Sequence, residues 1–357
     1  MTISSVDLDE ISSYDYKLPR ELVAQYPVEH RIDARLMLVD RRKGTISHHH
    51  VRDLPEMLSS GDALVLNNSK VIPARLLGFR TSTRGKWEGL FLQRAEHNVW
   101  ECLSKTRGSL TIGESLTLLD REGRESEQLV VCAKLEDGHI AVRPIVECEL
   151  FTLLAKFGRV PLPPYIRDGH MIDQDSASYQ TVYAKEPGSV AAPTAGLHFT
   201  ADLLKKIQAR GVVTAPVTLH VGLGTFRPIS SSRLADHKMH LEQFQLTDVV
   251  AQKLNQCRAC GMRIIAVGTT SARLLESSWC PQSCNIVPRS GQTDLFIRPS
   301  YQFQALDALL TNFHLPKSSL LVLVAAFAGH ELTMQAYREA IEEQYRFYSY
   351  GDCMLIV

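Results

Sequence analysis

From residue 201 onward the sequence alternates between two periodicities, and this restricts the possible folds more than any other feature. Residues 201–210 read as a helix: Leu203, Leu204 and Ile207 share one side, Asp202 comes early, Lys205, Lys206 and Arg210 come late, and Gly211 stops it. Thr200 is placed to cap it. Residues 212–221 read as a strand with Pro216 marking an edge or bulge. Residues 240–246 read as another, after which Thr247 is expected to cap a helix reaching Cys260. A buried strand at 263–267 feeds a helix at 269–278; a strand at 309–313, helices at 318–328 and 333–345, and a strand at 353–357 follow. Earlier strands are expected at 36–39, 45–50 and 63–66, with a short helix at 51–58 stopped by Gly61. Alternation of this kind predicts an α/β fold, a three-layer α/β/α domain on a mostly parallel sheet.

The texture changes near Pro73. Short alternating runs at 74–79, 87–93, 100–103, 115–119, 129–133 and 139–142 are punctuated by Gly85, Gly108, Gly113, Gly123 and Gly138. Many short strands at this spacing predict a small antiparallel β-barrel. The barrel is expected over residues 71–159, inserted in a discontinuous α/β/α domain made of 1–70 and 160–357, with VPLPP at 160–164 as a rigid connector.

The formal net charge is +0, so no global field announces a nucleic-acid or membrane partner, and any charged surface must be local. Within the barrel, residues 70–107 hold Lys70, Arg75, Arg80, Arg84, Lys86, Arg94, Lys105 and Arg107 against only three glutamates. Such a half-barrel fits either a phosphate backbone or a solvated face. The N-terminus is acidic without an apolar core, and the longest apolar run, 320–329, is far short of the roughly 20 residues a membrane span needs. A cytoplasmic protein with no membrane partner is expected, with its eight cysteines mostly thiols. Cys257 with Cys260 and Cys280 with Cys284 have a spacing like that of a zinc site, but helical i, i+3 spacing also suits plain packing. His48, His49 and His50 alternate in direction along an edge strand and do not converge on one ion, so no metal is expected.

Open α/β sheets bind ligands beyond the carboxyl ends of their strands. Polar groups gather there: Asn67-Asn68-Ser69, the Gly222-x-Gly224-Thr225 turn after His220, Thr269-Thr270-Ser271, and Thr311-Asn312 with His314. The GTTS opening of a helix suits a carboxylate, a ribose hydroxyl or a phosphate, although it lacks the lysine and glycine spacing of a Walker motif. The loop EPGSVAAPTAGLHFT, 186–200, collects small residues around Thr194 and Gly196 beside His198 and Phe199, which reads either as a close-approach ligand wall or as tight packing. His240, Glu242, Phe244 and Leu246 fall on one strand face, so His240 and Glu242 form either a coupled acid–base pair or a satisfied structural one.

The motifs YDYKLPRELVAQYP, GDALVLNNSKVIPARL, PLPPYI, YQTVYAKEPGSVAAPTAGLHF, LHVGLGTFRPI, IIAVGTTSARLLES, TNFHLPKSSL and YRFYSYGD run nearly end to end. With them the chain resembles the S-adenosylmethionine:tRNA ribosyltransferase-isomerases of queuosine biosynthesis. The resemblance implies an α/β/α domain with an inserted barrel. It implies a transferase that moves the ribosyl part of S-adenosylmethionine, its co-substrate, onto the aminomethyl group of 7-aminomethyl-7-deazaguanine in tRNA. The product would be epoxyqueuosine at the wobble position of GUN anticodons, with adenine and methionine released. On that basis acid and base roles are expected of His198, His220, His240 and Glu242. Binding of the co-substrate is expected of Thr194, Gly196, Gly222, Gly224, Thr225, Thr269, Thr270, Ser271 and Asn312. Arg75, Lys86 and Lys105 are expected to meet the anticodon stem-loop, and Phe199 or Tyr183 to stack on the unstacked base. A monomer is expected. The chain departs from the family at Trp87 and Gly89, where aliphatic residues are usual, and its paired cysteines are no family hallmark. A methyltransferase and a non-catalytic tRNA-binding module are the competing classes.

Overall fold

A computed structural model of the chain describes residues 6–146, 149–222 and 229–357. Two compact units result: one of residues up to Lys70 with Tyr165–Arg167 and Ala177–Val357, the other of Val71–Pro164 with Asp168–Ser176.

The first unit is built on a nine-stranded sheet. Its centre is a parallel group in the order Val213–Leu219, Ala63–Asn67, Ile264–Val267, Ala308–Asn312. On one flank Glu242–Leu246 and Arg289–Thr293 add antiparallel strands. On the other, Cys353–Ile356 lies antiparallel to Ala308–Asn312, Arg35–Asp40 lies parallel to Cys353–Ile356, and Thr45–His50 closes the edge antiparallel. Four pairings are parallel and four antiparallel, so the sheet is mixed rather than mostly parallel. A parallel pair needs a crossover of a dozen residues or more, whereas the tight turn at 41–44, with Gly44 at φ +66, can only return the chain antiparallel.

Strand alternation accounts for the layers. Ala63 and Val65 face one cluster with Ala272 and Leu275 of the helix Thr269–Ser277 and Leu321 and Val324 of the helix Ser319–Ala328. Leu64 and Leu66 face the other cluster with Leu203 and Ile207 of the helix Ala201–Ala209. Helices therefore cover both faces, the three-layer arrangement that the alternating sequence predicts. The Thr200 hydroxyl accepts the Leu203 N–H at 3.1 Å, as expected of a cap. Thr247 occupies the equivalent position before Asp248–Ala259 but makes no side-chain capping bond. Among the described residues no single helix is long and apolar enough to cross a membrane.

The second unit contains a closed barrel of six antiparallel strands, in the order His139–Pro144, Trp100–Thr106, Lys86–Arg94, Arg75–Arg80, Ser115–Leu119, Glu125–Lys134. Trp87, Phe91 and Trp100 are buried in it, the last two edge to face at 6.0 Å. The two unusual residues of this strand are coupled. A Cβ at Gly89 would lie 2.2 Å from the Trp87 ring, whose indole N–H donates to Ser104 Oγ at 2.9 Å. The large ring fills the space that the glycine leaves.

Candidate active site

The four parallel strands end together, and their carboxyl ends carry the polar motifs. Asn67, fully buried, fixes this edge: its carbonyl oxygen accepts from the Ser69 and Leu219 amides, and its amide donates to the Leu219 carbonyl and to Thr270 Oγ1. After the strand Ile264–Val267, Gly268 takes φ +89, a conformation that glycine adopts without strain, and opens the helix Thr269–Ser277 with no side-chain cap. Its first amides are thereby left for solvent or a ligand.

Two adjoining clefts share Thr194, Asn312, His314 and Leu320. One adds Ala192, Pro193, Ala195, Gly268, Thr269 and Thr270, so the free helix end opens into it. The other adds Tyr165, Tyr348 and Ser349. Thr194, Thr269, Thr270 and Asn312, all expected from the sequence, meet here. Their hydrogen bonding divides them. The Asn312 amide donates to His198 Nε2 at 3.3 Å and to the Tyr348 and Asp352 carbonyls at 3.1 and 3.4 Å. Its carbonyl oxygen accepts from Thr194 Oγ1 at 3.0 Å. Asn312 is thus a spent hub that holds the wall, with little left for a ligand. Ser271 is spent as well, because its buried hydroxyl donates to the Val267 carbonyl at 2.8 Å.

The expected acid and base residues scatter. His198 is 5% exposed and stands behind Asn312, outside both clefts. Burial, with Arg31 and Arg346 nearby, pushes its pKa down to about 4, so the ring is neutral at physiological pH. His240 does not share the buried face: it is exposed and precedes the strand Glu242–Leu246. Glu242 is buried, but its partner is Arg273, with which it forms an ion pair whose two side chains are each 2% exposed. Its other oxygen accepts the Gly222 N–H at 3.1 Å. The coupled His–Glu pair is replaced by a buried Arg–Glu pair, because the strand begins only at Glu242. His220 lies in a neighbouring cleft with Thr218, Gln243 and Gln292. Its pKa is lowered by burial against the opposing pull of Glu186, and its Nδ1 has no hydrogen-bond partner among the described residues. Gly224 and Thr225 lie outside the described residues.

The small residues of the 186–200 loop divide between two purposes. Ala192, Pro193 and Ala195 line the cleft. Gly196 instead makes room for the chain's own Tyr183: an added Cβ would sit 2.1 Å from its phenol oxygen. Phe199 is fully buried and packs edge to face on the half-buried Tyr183 at 6.4 Å, so the Phe199 ring is not free to stack on a base in this conformation. Gly196→Ala is expected to destabilise the fold by about 1–3 kcal/mol through overpacking. Adding Tyr183→Phe should recover part of that in a urea melt, because it removes the clashing oxygen but leaves Thr181 Cγ2 at 2.8 Å.

In the barrel, Arg75 is engaged by Glu88 at 2.8 Å and by the Gly169 carbonyl, which takes it out of the expected nucleic-acid contacts. Lys86 and Lys105 are exposed, with no ion pair among the described residues. Lys317 pairs with Asp15 at 2.6 Å. The cysteines gather no site: among the described residues no group of three or more His, Cys, Asp or Glu is placed to hold a metal, and Cys257 packs in the core. His48 bonds Tyr345 and Glu339 on the edge strand.

The residue most under-read from sequence is His314. It lines both clefts, bonds Thr311 Oγ1 through Nε2 at 2.8 Å, and has its pKa pushed down to about 3 by burial. Its signal was its place two residues beyond a strand end in TNFHLPKSSL.

Residues 11–356 match the model of a family described as queuosine biosynthesis protein. A protein of Symbiobacterium thermophilum named S-adenosylmethionine:tRNA ribosyltransferase-isomerase is 48% identical over 97% of this chain and 99% of its own. One of the same name from Staphylococcus saprophyticus is 46% identical over 98% of this chain and 100% of its own. The crystal structure of an S-adenosylmethionine tRNA ribosyltransferase from Thermotoga maritima superposes with a TM-score of 0.55 at 37% identity, covering 97% of this chain and 100% of that one. On sequence and fold alike, the chain belongs to the queuosine biosynthesis protein family.

Proposed function

We propose that this chain is a cytoplasmic, monomeric S-adenosylmethionine:tRNA ribosyltransferase-isomerase. It transfers and isomerises the ribosyl moiety of S-adenosylmethionine onto the aminomethyl group of 7-aminomethyl-7-deazaguanine, at the wobble position of tRNAs with GUN anticodons. Epoxyqueuosine-tRNA, adenine and methionine are the products. The observation that carries the reading is likeness over nearly the whole length, at 46–48% identity, to two relatives that bear the enzyme's name.

The residues present fit the co-substrate. The uncapped helix amides after Gly268, with the Thr269 and Thr270 hydroxyls, suit the methionine carboxylate or the ribose. The small side chains Ala192 and Ala195 leave room beside them. S-adenosylmethionine supplies a sulfonium that acidifies the adjoining ribose carbon and provides methionine as a leaving group. His220 is the imidazole best placed for proton transfer, being neutral, half-exposed and beside a strand end. His198 and Asn312 hold the wall.

The test is incubation with S-adenosylmethionine and tRNA carrying 7-aminomethyl-7-deazaguanine, followed by nucleoside mass analysis. A gain of the epoxycyclopentane-type sugar mass with free adenine is expected. Formation of S-adenosylhomocysteine would instead identify a methyltransferase, and salt-sensitive binding without turnover a binding module. Lys86 and Lys105 are assigned to tRNA phosphates. Substituting both by Ala should weaken tRNA binding alike for all sequences and lower the slope of log K against log salt by about 2. An unchanged slope would remove them from the interface.

A further inference from the structure

His314, which lines both clefts, has a hydrogen-bond partner that fixes where its proton lies. For His314, the only side-chain bond among the described residues is to Thr311 Oγ1. Thr311 is 1% exposed, and its hydroxyl has no other partner among the described residues. A buried hydroxyl whose hydrogen points at nothing loses the full cost of its desolvation. Thr311 must therefore be the donor and His314 Nε2 the acceptor, and a neutral imidazole that accepts at Nε2 carries its proton on Nδ1. Burial keeps the ring neutral, with its pKa down at about 3. Among the described residues Nδ1 has no partner, in a side chain that lines both clefts and shares one of them with the open helix end at Gly268–Thr270.

We propose that His314 is a neutral Nδ1–H donor to the carboxylate of the bound co-substrate, with Thr311 as the positioning residue that sets its tautomer. The assignment rests on the reading of the cleft as the S-adenosylmethionine site. It gives the carboxylate a second donor besides the helix amides. It also gives His314 a role different from acid–base catalysis, because a ring locked in this tautomer offers no lone pair to the cleft.

The tautomer is measured first, by 15N NMR of histidine-labelled protein. The His314 signals should show a bare Nε2 and a protonated Nδ1, unchanged from pH 8 to pH 5.5. Thr311→Val should mix the tautomers and Thr311→Ser restore the single one. A protonated Nε2 in the wild type would overturn the proposal. Binding is measured next, with S-adenosylmethionine and with methylthioadenosine, which lacks the carboxylate. His314→Ala should weaken S-adenosylmethionine by about 10- to 100-fold, as expected for a lost bond to a charged group, and leave methylthioadenosine unaffected. His314→Asn, whose amide N–H stands where Nδ1–H was, should regain most of the loss. Equal weakening of both ligands, or of neither, would overturn the carboxylate assignment alone. No binding of S-adenosylmethionine by the wild type would overturn the reading of the cleft as well.

Discussion

Arg273→Met is expected to destabilise the α/β unit strongly. The side chains of Arg273 and Glu242 are each 2% exposed, so removing the guanidinium leaves a carboxylate in the core without its countercharge. Breaking a buried pair from one side costs about 3–5 kcal/mol. In a domain of this size that lowers the melting midpoint by roughly 10 °C. The double variant Arg273→Met with Glu242→Leu removes both charges and should recover most of the midpoint, since a buried pair replaced by apolar groups is often neutral. The same pair decides what Glu242 does. If it is structural, Glu242→Gln protein kept folded at low temperature retains turnover per folded molecule. A native circular dichroism spectrum with abolished turnover would instead place the carboxylate on the substrate.

Asn312→Asp is the second large effect. The substitution keeps the shape and removes the two N–H groups that serve His198 Nε2 and the Tyr348 and Asp352 carbonyls. It also turns a carboxylate oxygen towards those carbonyls. The Tyr348 carbonyl keeps the Gly351 N–H at 3.0 Å, but His198 Nε2 loses its donor, and a buried group left unpaired costs about 1–3 kcal/mol. A loss of at least about 3 kcal/mol in denaturant melts is expected, together with loss of turnover, because the same side chain anchors Thr194 in the cleft. Normal turnover in a folded Asn312→Asp variant would show that the hub is dispensable.

The two buried imidazoles give a sign to acid sensitivity. His198 and His314 have folded pKa values of about 4 and 3, below the ordinary value near 6.5. The unfolded chain therefore takes up protons first as pH falls. Their contribution to stability is complete above pH 6.5 and is lost progressively between pH 6.5 and about 3. Melting midpoints should fall across that window, and His314→Asn should flatten part of the slope.

Eight strands of the large sheet, its layers and the six barrel strands were legible because they depend on local periodicity and turn residues, whereas the polar edge strand Arg289–Thr293 carries no such signal. Leu64 and Leu66 against Ala63 and Val65 show the two-faced burial directly in sequence order. The strand pairings at the flanks were not legible, because Cys353–Ile356 meets Arg35–Asp40 across most of the chain. The site was half legible. Thr194, Thr269 and Thr270 stand at strand ends or in a small-residue loop, where position alone nominates them. Which hydroxyls and amides remain free depends on partners far away, as Asn312 with Tyr348 and Asp352 shows. The Gly196 case has the same cause: nothing local says that its empty space is filled by Tyr183.

The pairing order of the large sheet has a consequence for synthesis on the ribosome. Ala63–Asn67 is made early but pairs with Val213–Leu219 and Ile264–Val267, and Arg35–Asp40 waits for Cys353–Ile356. The barrel, by contrast, takes all six strands from residues 75–144. Its contacts are short-range in the chain, and short-range contacts form fast. During translation the barrel can close while the strand Ala63–Asn67 is still without neighbours, an apolar segment open to chaperones or to aggregation. The wall of the cleft comes last of all, because the Asn312 amide is satisfied only after Asp352 has emerged.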